Sequence, residues 1–220
     1  MFIAVMRNFT DVFEKLLEIS DSAHVGPLGQ NVLHAAVTKG NPDIAKRIME
    51  ARPWLAREAA DNNSIPTNRA AFEGKIEVLT VLLEYDRSLG YLTLSNGNPL
   101  LNTAAGQGHV GVARELLDHC PDAPYYNKTT GLTCLHVAVS NDRKEFVQFI
   151  LGSQQLRMLV NMQDQYGQTA LHLAARKCNA KMVTALLLHQ AIDVTVFTKN
   201  GNLASRLLSE ASQKPKASDL

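Results

Sequence analysis

The sequence predicts an all-α solenoid of stacked two-helix units, and three observations point to it. One phrase recurs. Gly167-Gln168-Thr169-Ala170-Leu171-His172-Leu173-Ala174-Ala175 is its fullest form, and further copies stand at Thr133-Cys134-Leu135-His136-Val137-Ala138-Val139 and Asn31-Val32-Leu33-His34-Ala35-Ala36-Val37. Its leucine position falls at Met1, Leu33, Thr67, Leu101, Leu135, Leu171 and Ser205, in steps of 32, 34, 34, 34, 36 and 34 residues. Behind the clearest copies comes a glycine or a polar residue and then a second apolar stretch at helical spacing. Such units cannot bury their apolar faces alone, and stacking makes the core continuous.

Seven repeats follow from this register, near residues 1–24, 25–58, 59–92, 93–126, 127–162, 163–196 and 197–208, about five full and the terminal two partial. The first starts mid-repeat. Met1–Arg7 reads as a helix, Asn8 stands where other repeats have glycine, and Val12, Leu16 and Leu17 supply the buried stripe of the next helix. An apolar, uncapped start at Met1, Phe2 and Ile3 reads as a truncation or an unusual beginning. In the second repeat Asn31 caps a helix, Gly40 ends it in the left-handed conformation, and Pro42 opens the next, whose stripe is Ile44, Ile48 and Met49. The third is degenerate, with Thr67 and Asn68 replacing leucine and histidine, but Gly74, Val78, Leu82 and Leu83 restore the pattern.

The fourth, Asn98-Pro99-Leu100-Leu101-Asn102-Thr103-Ala104-Ala105, carries its proline one place early. Asn98 is therefore expected to cap a helix that starts one residue sooner. Gly108, Val112, Leu116 and Leu117 follow. In the fifth, Thr133 is the cap, Asp142 takes the glycine place, and two extra residues around Gly152–Gln155 predict a longer turn. Thr169 caps the sixth, which ends its first helix at Cys178-Asn179. The seventh holds one helix through Leu207 and Leu208, and the polar residues 209–220 read as a disordered tail.

Two helical arrays have this period, the tetratricopeptide type at about 34 residues and the ankyrin type at about 33. The single tryptophan, Trp54, stands outside any tetratricopeptide context. A capping residue, leucine, histidine, small residues, a glycine and an aliphatic helix match the other, so nearly the whole chain resembles the ankyrin-repeat family. The resemblance implies that His34, His136 and His172 are structural pegs tying one repeat's helix start to its neighbour's turn. With them Thr133, Thr169, Gly40, Gly74 and Gly108 form the frame. It also implies a concave groove of hairpin tips and first-helix faces that binds other proteins. By register the groove takes Asp61, Asn62, Phe72 and Glu73 from the third repeat and Ser95, Asn96 and Gln107 from the fourth. The fifth gives Thr130, Leu132 and Asn141, and the sixth Gln165, Tyr166, Gln168, Arg176 and Lys177. Tyr166, Phe72 and Arg176 are the expected anchors, because aromatic and arginine side chains dominate hot spots.

Connectors such as Arg52-Pro53-Trp54-Leu55, Tyr85-Asp86-Arg87-Ser88-Leu89 and Cys120-Pro121-Asp122-Ala123 are similar to those of plant ankyrin proteins of the accelerated-cell-death type. Those proteins join such an array to a membrane domain and act in defence and stress signalling. The resemblance implies membrane attachment only for a longer form carrying that domain.

Composition excludes several other functions. With 22 basic and 21 acidic residues and no run of Lys and Arg, nothing suggests a nucleic-acid partner. Three cysteines without close pairing, Cys120, Cys134 and Cys178, fit a reducing compartment and hence a cytoplasmic protein. No phosphate-binding loop, nucleophile elbow or paired-carboxylate motif appears, so no enzyme, cofactor or small-molecule substrate is expected. His119-Cys120 with Cys134-x-His136 resembles a zinc site, but the register makes Cys134 and His136 helix-start residues. The expectation is a non-catalytic scaffold for an unidentified protein partner. The alternative is a metal- or redox-responsive module built on the three cysteines.

Overall fold

The computed structural model describes residues 1–19 and 22–212, with side chains through residue 210. Thirteen α-helices occur among them and no strand, only isolated bridges such as Val25 with Asn31 and Thr93 with Pro99. They pair as the repeat register requires: α1 (Phe2–Met6) with α2 (Thr10–Leu17), α3 (Val32–Lys39) with α4 (Pro42–Ala51), and α5 (Pro66–Glu73) with α6 (Ile76–Tyr85). Then come α7 (Leu100–Gln107) and α8 (Val110–His119), α9 (Cys134–Ser140) and α10 (Lys144–Gly152), α11 (Ala170–Arg176) and α12 (Ala180–Leu187), and a single α13 (Ala204–Ser212). By contacts the chain divides into two compact bodies, residues 1–104 with 111–124 and residues 105–110 with 125–220.

In the first body, first helices pack on first helices (α1 on α3, α3 on α5) and α4 packs on α6. Leu33, Leu55, Leu82, Leu83, Leu89 and Leu101 are fully buried there. The second body repeats the scheme, with α9, α11 and α13 in one row and α10 beside α12. Each fully buried leucine contributes about 1.5–3 kcal/mol. The connectors behave as short 3-10 turns at Pro53–Arg57, Arg87–Tyr91 and Arg157–Asn161, which tuck Leu55, Leu89 and Leu159 into the core. Arg52, only 4% exposed, donates to the carbonyls of Ile19 (2.6 Å) and Ser22 (3.1 Å).

The frame residues do what their chemistry suits them for. Asn31 Oδ1 accepts from the amides of Leu33 and His34, and Thr133 Oγ1 accepts from that of His136. Gly40 closes α3 at φ 63°, a left-handed geometry that costs a side-chain-bearing residue about 1–2 kcal/mol. Asp142 (φ 56°) and Cys178 (φ 51°) adopt it without being glycine.

Three expectations need correction. Val12 is 49% exposed, and the residue that α2 buries is its neighbour Phe13. The equivalents of Val12, at Ile44, Val78 and Val112, are buried, whereas of the first pair it is α1 that packs on α3, with α2 against α1. Asn98 does not start α7 early. Pro99 bridges to Thr93 and the helix begins at Leu100, the same register place as in the other repeats. Residues 209–212, expected to open a disordered tail, continue α13 through Ser212; the rest of that tail, residues 213–220, lies outside the described residues.

Candidate partner-binding surface

The surface is built on the histidine pegs. The Thr133 amide donates to His136 Nδ1 (3.2 Å), which makes that nitrogen an acceptor and leaves Nε2–H to donate to the Gln168 carbonyl (2.9 Å) in the next hairpin. His34 reaches the Ser64 carbonyl (2.8 Å) and His172 that of Asn202 (3.2 Å) in the same way. All three rings are buried, and burial holds their pKa values below the usual imidazole value. Their nitrogens are spent on the frame.

Above the pegs, adjacent hairpin turns are joined by backbone bonds. The Asp61 amide donates to the Leu28 carbonyl (3.0 Å), Gln165 to Thr130 (2.8 Å), and Lys199 to Tyr166 (3.0 Å). Gly131 brings its backbone so close that a Cβ there would sit 3.0 Å from Asp164 Cα. Within each body the turns so joined form a rim whose spacing is fixed by the repeat.

In the first body the rim and the end of α5 carry the residues expected from the third repeat. Phe72 is 54% exposed, and Glu73 pairs with Arg69 at 2.8 Å. Asn62 and Asn96 accept from the amides of Ser64 and Asn98, each at 3.0 Å, and so shape their own turns. A cavity of about 320 Å³ gathers Asn62, Phe72 and Glu73 with Ser64, Asn68, Arg69 and Leu94; Asp61, Ser95 and Asn96 are not in its wall. It opens where Asn68 stands in the histidine position. Asn68 donates to Thr103 Oγ1 (3.0 Å), not to a hairpin carbonyl. That asparagine was the sequence signal for the cavity.

In the second body Tyr166 is 60% exposed. Asp164, 8% exposed, accepts from the amides of Tyr166 (2.8 Å) and Gln168 (2.9 Å) and so holds that turn. Arg176 Nη1 donates to Gln168 Oε1 (3.0 Å), and the Lys177 ammonium donates to the Ser140 carbonyl. Leu132 and Thr130 share one turn, the Leu132 amide donating to Thr130 Oγ1 (3.3 Å). Asn141 is turned back on its own helix, donating to the Val137 carbonyl (2.8 Å), and Gln107 is half-buried at the end of α7. The register reading missed Lys128 and Lys199 on this rim. It also missed an apolar cavity of about 480 Å³ among α11, α12 and α13, lined by Leu171, Val183, Leu187, Phe197 and Leu208. The seventh repeat's single helix was the clue to that space.

The cysteines do not converge. Among the described residues no group of three or more His, Cys, Asp or Glu side chains could hold a metal ion. Full burial pushes the Cys134 thiol up to about 12. Burial also raises Cys120, whose Sγ donates to the Arg87 carbonyl (3.2 Å). Only Cys178 is exposed.

Helix pairs at a 34-residue period, pegged by buried histidines and edged by linked hairpin turns, define a helical repeat solenoid of the interaction type. Matches to known proteins make this specific. The chain matches the family model for ankyrin repeats in three copies over residues 1–93 and 67–158, and that for the single ankyrin repeat over residues 166–199. The chain belongs to the ankyrin-repeat family. It is 30% identical over 168 residues to the E3 ubiquitin-protein ligase XB3 of Oryza sativa subsp. japonica, covering 71% of this chain and 37% of that protein. Over 209 residues it is 26% identical to the nuclear factor NF-kappa-B p105 subunit of Gallus gallus, covering 91% and 20%. The chain thus spans about a fifth to two fifths of these relatives' length. The crystal structure of the ankyrin repeat domain of Bcl-3 superposes with a TM-score of 0.79 at 20% identity, covering 94% of this chain and 95% of that one, which shows the shared fold.

Proposed function

We propose that the chain is a non-catalytic scaffold that holds a protein partner on its hairpin turns and first-helix ends. One observation carries the reading. Neighbouring turns are tied backbone to backbone, so exposed side chains such as Tyr166 and Arg176 stand on a pre-organised frame and lose little freedom on binding. Aromatic and arginine anchors of this kind dominate binding energy in protein interfaces. Photo-crosslinking tests it directly. A photoreactive residue in place of Phe72 or Tyr166 should capture a discrete protein adduct, whereas the same residue at Glu77 or Lys181 on the second helices should not. Tyr166→Ala and Arg176→Ala should each weaken the captured partner at least tenfold. Equal capture from both faces would refute the assignment.

The finer setting proposed, plant defence or stress signalling, rests on the connector resemblance alone. A cytoplasmic location is supported by three free cysteines, two of them buried. Imaging of the tagged full-length gene product tests the location, together with membrane attachment of any longer form, and the defence response of a knockout plant tests the setting.

A further inference from the structure

The two bodies differ in charge. Residues 1–104 and 111–124 hold 11 basic and 15 acidic side chains, whereas residues 105–110 and 125–220 hold 11 and 6. They also differ in how the cations are matched. In the first body Arg47 pairs with Glu14 (2.9 Å), Arg57 with Asp86 (2.6 Å) and Arg69 with Glu73 (2.8 Å). In the second, the ion pair among the described residues is Arg206 with Glu210 (2.8 Å) on α13. Lys128, Arg176, Lys177 and Lys199 are exposed and have no carboxylate within ion-pair distance among the described residues.

Their placement is not scattered. Lys128 shares a turn with Thr130, which is bonded to Gln165, and Lys199 is bonded through its amide to Tyr166. Arg176 and Lys177 are held by Gln168 Oε1 and the Ser140 carbonyl, neutral acceptors that fix the cations without cancelling their charge. The nearby carboxylates are occupied: Asp164 is buried under two backbone amides, and Asp142 accepts from Asn179 (2.8 Å). A line of unmatched cations around an exposed tyrosine remains.

We propose that this rim binds an acidic polypeptide segment, with carboxylates on Lys128, Arg176, Lys177 and Lys199 and an apolar side chain against Tyr166. The proposal rests on the scaffold reading above and names the partner's chemistry. Nucleic acid fits less well. Proteins that hold it electrostatically neutralise about 6–10 phosphates, and the rim offers four cations. With a Debye length of about 8 Å at physiological salt, the effect is local to the rim. Each exposed pair is worth up to about fivefold in affinity.

The test pans a displayed library of random 16-residue peptides on the full 220-residue chain, keeping sequences that lose binding to the Tyr166→Ala variant. The retained sequences should be strongly net negative. Fluorescent copies of them should bind at least tenfold more weakly to Lys177→Glu/Lys199→Glu, and at least tenfold more weakly in high salt than in low salt. Lys177→Gln/Lys199→Gln, gentler on folding, should lose severalfold. Lys144→Glu/Lys181→Glu removes the same charge from the second helices of the same body and should stay within twofold of wild type. Neutral or basic Tyr166-dependent peptides would overturn the acidic assignment and leave the scaffold reading standing. No Tyr166-dependent peptide at all would overturn both. Tighter binding of a 20-nucleotide single-stranded DNA than of any acidic peptide would give the rim to nucleic acid and overturn the proposal.

Discussion

Replacing His136 by leucine tests the peg on which the surface stands. Leucine has similar volume, so little cavity is created and the loss is polar. Three contacts disappear: Nε2–H to the Gln168 carbonyl (2.9 Å), the Thr133 amide to Nδ1 (3.2 Å), and the Thr133 hydroxyl to Nδ1 (2.8 Å). A typical hydrogen bond is worth about 1 kcal/mol net, and a buried group left unsatisfied costs about 1–3 kcal/mol. Thr133 is fully buried, so its amide gains no water in exchange. The expected loss is about 3–4 kcal/mol, or roughly 10 °C in Tm for a domain of this size. Urea denaturation followed by far-UV circular dichroism measures it. Thr133→Val should cost about 1 kcal/mol by itself as a lost cap. The double variant should cost clearly less than the sum, because both residues serve one network. A His136→Leu protein within about 1 kcal/mol of wild type, or strict additivity with Thr133→Val, would refute the peg argument.

Acid should weaken the fold through the same residues. Burial depresses His34, His136 and His172, so the unfolded chain takes up protons first as pH falls through about 6.5. Stability is complete above that value and declines below it, by at most about 1.4 kcal/mol per pH unit for each histidine. All three Nδ1 atoms accept from a cap amide, but His34 should tolerate protonation best, because its side-chain neighbour there is Asn31 Oδ1 (2.9 Å), which only accepts, where the other two face a threonine hydroxyl. Melting at pH 7.5, 6.5 and 5.5 checks the sign, and NMR titration of the three rings checks the order. Thr67→Val should raise the urea midpoint by about 1 kcal/mol in free energy, since Thr67 is fully buried and its hydroxyl has no protein partner; a lower midpoint would count against it. Cys178→Gly should stabilise by about 0.5–1 kcal/mol by relieving a left-handed φ of 51° at an exposed side chain, and thermal melts under reducing conditions measure it.

What could be read from the chain follows from which interactions are periodic. The histidine position was legible because its two partners, a cap three residues back and a hairpin carbonyl about 30 residues on, recur in every repeat that keeps it. The departures from period were visible as letters, but their consequences were not. Asn68 shows that a peg is missing, yet only the folded chain shows its amide turned to Thr103 and a cavity beside it. Val12 sits at a position that repeats bury, and register alone assigned it to the core. Burial there depends on a neighbour, which periodicity assumes and does not supply. The same limit applies to the binding rim. Tyr166 and Arg176 were found because they flank the repeated phrase, whereas Lys128 and Lys199 become neighbours of that site through backbone bonds between turns. Charge was the least legible quantity of all. The whole chain is balanced at +1, and the imbalance appears only when the sequence is divided where the folded contacts divide it. A near-neutral total therefore argues against a uniform polyanion partner but carries no weight against a locally charged one, since screening makes the few cations nearest the contact decide.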